Sequence, residues 1–124
     1  MPAITKHVLT ACKEPKNAAA RQSLMLAASQ AGMAFSNASV ALVHGMSRPI
    51  GAHFHVAHGL SNAMILPYVT KFSIDTSEAR YAKCARVMDW ADEHDSNASA
   101  CEKLVENLKI LNSVSYTHLR AHET

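Results

Sequence analysis

The residues best suited to chemistry are four histidines that lie close together in the middle of the chain. They occur in the stretch ALVHGMSRPIGAHFHVAHGLSNAMILP, residues 41–67, as His44, His53, His55 and His58. Imidazole nitrogen is a common ligand of divalent transition metals. The stretch therefore presents a choice between a metal site and ordinary polar side chains on helices and loops.

A shared metal ion places a geometric condition on His44 and His58. Two imidazoles on one ion have their nitrogens within about 4 Å of each other, whereas these two positions on one unbroken helix would lie about 21 Å apart along its axis. The chain must therefore turn back between them, and Pro49, Gly51 and Ala52 provide the means.

The other two histidines are weaker candidates. His53 and His55 are two residues apart, so in an extended segment their side chains would point to the same side and line the same cavity. For each of the four histidines an ordinary polar role remains the alternative. Two histidines are also only half of a site, because zinc takes three or four protein ligands.

Composition limits the class of protein. The chain has 124 residues, 48 % of them hydrophobic, with four Gly, four Pro and a formal net charge of +2. These values predict one helical globular domain at most and argue against disorder. The scattered basic residues indicate no nucleic-acid partner and no membrane surface. Three widely spaced cysteines, Cys12, Cys84 and Cys101, indicate reduced thiols and a cytoplasmic protein, and no secretory signal is visible.

Hydrophobic periodicity and capping residues predict an all-α chain. Asn17 is the expected N-cap of the first helix, Pro49 the expected end of the second, and Pro67 a bend or stop in the third. Capping-box patterns at Asp75–Glu78 and in SACE, from Ser99, mark the last two. The predicted helices cover residues 17–35, 38–48, 58–72, 76–89 and 99–111.

The tail VSYTHLRAHET departs from this pattern. Its back-translation resembles a sequencing-library adapter, so we expect a partial helical metal-binding domain over residues 1–113 and a non-native tail over residues 114–124. His118 and His122 are accordingly not counted as ligands. The chain is expected to be a fragment of a longer protein.

Residues 35–69, FSNASVALVHGMSRPIGAHFHVAHGLSNAMILPYV, resemble the metal-site signature of the iron-containing (group III) alcohol dehydrogenases. The fixed spacing of VHGM and HGLSNAMILP is the specific feature, and the similarity runs from about Ala18 to Asp89. The resemblance implies the helical C-terminal domain of a two-domain dehydrogenase. It also implies a divalent metal, iron(II) or zinc, held by one aspartate and three histidines, of which His44 and His58 match two. The other two ligands come from a D-x-x-x-H segment that this sequence lacks before Asn17.

The resemblance further implies hydride transfer between a small alcohol, aldehyde or hydroxy acid and NAD or NADP, in a parent protein that is a homo-oligomer. Arg48 stands where many family members carry a histidine near the substrate and the nicotinamide. A guanidinium there would bind a carboxylate in bidentate fashion. The alternative is a structural arginine that satisfies carbonyls at the end of a helix. A different class of function, a stand-alone and non-catalytic helical metal-binding module, would recruit His53 or His55 as further ligands.

Overall fold

The computed structural model describes residues 1–120, with side chains as far as residue 114. This part of the chain forms five α-helices and no strand, which confirms the all-α class. The helices are α1 (Pro2–Lys13), α2 (Ala18–Ser36), α3 (Leu42–Phe54), α4 (His58–Val87) and α5 (Asn97–Arg120). None of these five helices combines the length and hydropathy that a bilayer crossing requires.

The first two helices form a hairpin. α1, which the sequence pattern did not predict, begins with Pro2, whose fixed φ suits the first helical position. α2 begins as predicted, because the Asn17 side chain accepts a hydrogen bond of 3.0 Å from the backbone N–H of Ala20. α1 packs against α2 and also touches α5, so the hairpin is joined to the rest of the fold.

The predicted stop at Pro49 is wrong. α3 begins at Leu42 and continues through Pro49 to Phe54, whereas the sequence predicted a helix over residues 38–48. Proline removes the hydrogen bond to the carbonyl four residues earlier, here that of Gly45. Gly45 and Pro49 are both exposed, so water can take the freed carbonyl. The packing of α3 on α4 then keeps the helix intact.

Pro67 also lies inside a helix, in α4, and its side chain is fully buried. The carbonyl that its missing N–H would have bonded is that of Ala63. That carbonyl instead accepts a hydrogen bond of 2.6 Å from Nδ2 of Asn112 on α5. A side chain from a neighbouring helix therefore replaces the bond that the proline deletes.

The third and fourth predicted helices are joined. α4 runs to Val87, and the expected boundary near Asp75 survives as a kink at Ser77, whose φ of −148° and ψ of 33° lie outside the helical region. α5 begins earlier than predicted. Its cap is Ser96 rather than Ser99, since Ser96 Oγ accepts from the Ser99 N–H at 3.1 Å.

The main core lies between the second half of α4 and the first half of α5. Its buried residues are mostly small, which lets the two helices approach closely. They are Ala82, Ala85, Met88, Ala100, Cys101 and Leu104. The predicted stripe on α5 is confirmed at Cys101 and Leu104, and it continues half-buried at Leu108 and Leu111.

The turn between α4 and α5 is fixed by one side chain. The Arg86 guanidinium donates to the carbonyl of Asp95 at 2.7 Å, to that of Asp92 at 3.3 Å and to the Asn97 side chain at 3.2 Å. Hydrogen bonds from a charged donor are stronger than those between neutral groups. Arg86 therefore sets how α5 leaves the turn and where it meets α4.

Candidate metal site

The structure brings His44 and His58 together. His44 lies in the first turn of α3, and His58 is the first residue of α4. Their ring centroids are 5.2 Å apart, with an interplanar angle of 50°. Both imidazoles are accessible, His44 partly and His58 openly. Two residues fourteen positions apart thus share one site.

The reversal that this requires occurs later than expected. Residues 49–52, predicted to turn the chain, are helical, and the direction changes at His55, which adopts a left-handed conformation with φ of 54°. The chain then folds back along α3, so that the Val56 carbonyl lies beside Gly51. A Cβ atom at Gly51 would lie only 3.3 Å from that carbonyl oxygen, so the glycine allows the close approach.

The separation of the rings suits one shared ion. With about 2.1 Å from a zinc-sized ion to each nitrogen and about 1.1 Å from nitrogen to ring centre, two imidazoles on a tetrahedral ion have centroids about 5 Å apart. The observed 5.2 Å matches this value. Two neutral nitrogen donors are also the ligand type that iron(II) and zinc accept. The donor pair therefore fits the metal that the sequence implies.

A chain of hydrogen bonds connects the two histidines from behind. Ser47, fully buried, donates from Oγ to Asn62 Oδ1 at 2.6 Å, and Asn62 Nδ2 lies 3.0 Å from His58 Nε2. Ser47 Oγ also lies 3.3 Å from the carbonyl oxygen of His44. Ser61, likewise fully buried, donates to the His58 carbonyl at 2.9 Å. Polar side chains thus tie α3 to α4 at the level of the histidine pair.

The sequence analysis did not identify Ser47 and Asn62. Their signal is helical spacing: Ser47 follows His44 by three residues and Asn62 follows His58 by four, so each lies one turn from a histidine on its own helix. A buried serine and a half-buried asparagine at those positions predict a hydrogen-bonded partner for the histidine. What the spacing could not supply is the contact between the two helices.

The remaining candidates do not join the pair. His53 lies in the last turn of α3 and His55 at its end, both exposed, so the segment is not the extended one that was predicted. In residues 1–120 no group of three His, Cys, Asp or Glu side chains comes close enough to hold an ion. His122 lies outside the described residues, and the side chain of His118 is not described. α5 continues past residue 113, and the expected domain boundary there stays a prediction.

Arg48 lies one turn after His44 on α3 and is exposed. Residues four apart on a helix share a face, so the guanidinium can approach the same space as the histidine pair. Within the described part of the chain no hydrogen bond or ion pair holds Arg48. The structural alternative, a cap on helix-terminal carbonyls, is wrong because α3 continues to Phe54.

Comparison with known proteins agrees with this architecture. Residues 1–122 match the model of the Fe-containing alcohol dehydrogenase family, C-terminal. The chain is 39 % identical over 109 residues to NADPH-dependent butanol dehydrogenase of Clostridium saccharobutylicum, covering 88 % of this chain and 27 % of that protein. It is 42 % identical over 82 residues to lactaldehyde reductase of Escherichia coli (strain K12), covering 66 % and 22 %.

A crystal structure of 1,3-propanediol oxidoreductase superposes with a TM-score of 0.88 at 28 % identity, over 92 % of this chain and 30 % of that one. The chain therefore spans about a quarter of the length of the curated relatives that it matches. Its five helices match the C-terminal helical part of the fold of these enzymes. The chain belongs to the Fe-containing alcohol dehydrogenase family, as part of its C-terminal helical domain.

Proposed function

We propose that this chain is the metal-binding helical portion of an NAD(P)-linked oxidoreductase, with His44 and His58 as two ligands of a divalent ion, iron(II) or zinc. The observation that supports this most directly is the 5.2 Å separation of the two rings, which suits a shared ion. A bound divalent ion supplies Lewis acidity to a substrate oxygen.

The roles of the chain's own residues follow from their positions. Ser61 holds the first turn of α4, and with it the backbone of His58, through its hydrogen bond to the His58 carbonyl. Ser47 and Asn62 join α3 to α4 and keep the two rings facing each other. In the parent protein the remaining ligands and the site for NAD or NADP come from outside this chain.

Small alcohols and aldehydes are the substrate class, since similar proteins carry the names butanol dehydrogenase and lactaldehyde reductase. Arg48, exposed and without a partner among the described residues, adds a preference for substrates that carry a carboxylate, such as hydroxy acids. The parent is a cytoplasmic homo-oligomer, in agreement with the three free cysteines of this chain. This chain alone is inactive, because it holds only part of the site.

Zinc titration of the purified chain tests the ligand assignment. His44→Gln and His58→Gln should each abolish a weak binding event, whereas the matched control His53→Gln/His55→Gln should leave its affinity unchanged. If only the control pair lost binding, the stand-alone metal-binding module would be the better interpretation.

The role of Arg48 has its own test. Lactate and 1,2-propanediol differ in that only lactate offers a carboxylate, so lactate alone should shift the side-chain N–H resonance of Arg48. Equal shifts with both compounds would refute carboxylate recognition by this residue.

A further inference from the structure

The hydrogen bond between Asn62 and His58 raises the question of which ring nitrogen carries the proton. A neutral imidazole has one N–H donor and one bare acceptor. The amide of Asn62 can present either its NH2 or its oxygen, because exchanging the two changes the shape of the side chain very little. The neighbour on its far side decides between the two orientations.

That neighbour is Ser47. The distance of 2.6 Å from Ser47 Oγ to the facing atom of Asn62 suits an O–H···O bond, whose usual length is about 2.7 Å, better than an N–H···O bond, usually about 2.9 Å. The other acceptor within reach of the hydroxyl, the His44 carbonyl, is more distant at 3.3 Å. The serine proton therefore points to Asn62 Oδ1, and the NH2 group faces His58.

From this geometry we infer that Asn62 fixes His58 in the tautomer that carries its proton on Nδ1, with the lone pair of Nε2 held towards the amide. Asn62 Nδ2 lies 3.0 Å from Nε2 and donates to it. Ser47, fully buried, fixes the orientation of Asn62 in turn. Asn62 is thus a positioning residue that acts through the ring of His58.

This inference deepens the proposed function, and its second half rests on it. A metal ligand must present a bare nitrogen. In the metal-free chain the amide N–H occupies the lone pair of Nε2, so that this nitrogen carries no proton when an ion arrives. Binding through Nε2 requires only that the neutral amide of Asn62 turn away. The tautomer itself, however, follows from the hydrogen bonds alone.

Nitrogen NMR of the full ¹⁵N-labelled chain, without metal and at about pH 8, where most imidazoles are neutral, tests the tautomer. Long-range ¹H–¹⁵N correlations distinguish the protonated nitrogen from the bare one, and loss of signals in His58→Gln assigns the ring. We expect a protonated Nδ1 and a bare Nε2. A proton found on Nε2 in the unmodified chain would overturn the inference.

Asn62→Asp is the decisive variant because it keeps the shape and, once ionised, offers only acceptors. It should move the proton of His58 to Nε2, changing the tautomer ratio by about fivefold or more. The control is Asn107→Asp on α5, whose parent amide bonds only the Lys103 carbonyl of its own helix. Circular dichroism verifies folding, and if Asn62→Asp does not fold, the unmodified chain alone decides.

Zinc added to the same sample separates this inference from the proposed function. If both hold, the Nε2 resonance of His58 and the side-chain NH2 resonance of Asn62 shift together. If the tautomer is as stated but zinc leaves His58 unchanged, the metal assignment fails and the role of Asn62 in orienting the ring stands.

Discussion

The hydrogen bond from Asn112 to the Ala63 carbonyl gives a sharp test of how α4 tolerates a buried proline. Pro67 cannot donate to that carbonyl, and Asn112 Nδ2 does so at 2.6 Å from α5. Asn112→Ala would leave the half-buried carbonyl without either donor. In a Pro67→Ala background the restored backbone N–H would take it, and Asn112 would no longer be needed.

The magnitude follows from what is lost in each background. Leaving a buried acceptor unsatisfied costs about 1–3 kcal/mol, and the partial burial of Ala63 places the cost of Asn112→Ala near 1.5 kcal/mol. For a chain of this size that is a fall in Tm of about 6 °C. In the Pro67→Ala background the same substitution should cost less than about 0.5 kcal/mol, because the acceptor remains bonded.

Urea unfolding of the four chains in this double-mutant cycle measures the coupling free energy between Pro67 and Asn112. The matched control is Asn107→Ala, which removes an amide from the same helix that bonds only within that helix. We expect a coupling of about 1 kcal/mol for the pair. An equal cost of Asn112→Ala in both backgrounds would refute the argument that the asparagine substitutes for the proline's missing donor.

Three further outcomes follow from the α4–α5 core and its surroundings. Leu104→Ala, at a side chain only 3 % exposed, should lower the free energy of unfolding by about 3 kcal/mol, whereas Ile110→Ala, 50 % exposed on the same helix, should cost far less in the same urea assay. The hydrogen bond from Lys103 lowers the pKa of Asp95, a shift that stabilises the fold above the ordinary value of 3.8 and is lost as the pH falls through the folded pKa. The Tm of Lys103→Met should therefore lie below that of the unmodified chain at neutral pH and converge with it in acid; a constant gap would contradict the ion pair. Burial raises the pKa of the Cys101 thiol, so a thiol reagent should modify the other two cysteines first and Cys101 only on unfolding.

Local signals in the sequence predicted what depends on local contacts. Asn17 caps α2 through a bond to a residue three positions away, and that kind of partner can be seen in the sequence. The class of fold and the stripe on α5 from Cys101 to Leu104 likewise depend on periodicity within one helix. The pairing of His44 with His58 was indicated by the spacing of the two motifs together with the family resemblance.

The errors have a common physical cause, which is that a distant partner decides the outcome. Proline is costly inside a helix only if the carbonyl it frees finds no other donor. Water serves that purpose beside Pro49, and Asn112, distant in sequence, serves it beside Pro67. The contact between Ser47 and Asn62 is hidden for the same reason, since each residue is visible in the sequence but their meeting depends on how α3 crosses α4.

The two ends of α4 serve different purposes, and the kink at Ser77 separates them. The end that carries His58 is held by hydrogen bonds, from Ser61 within the helix and from Ser47 through Asn62. The other end is held by apolar packing against α5 and by the bonds of Arg86 to the turn. Loss of core packing at the far end should therefore lower the stability of the chain while leaving the distance between the histidine rings unchanged. Loss of the polar contacts should do the opposite, because they contribute little apolar burial but fix the orientation of the ring that a metal ion would meet.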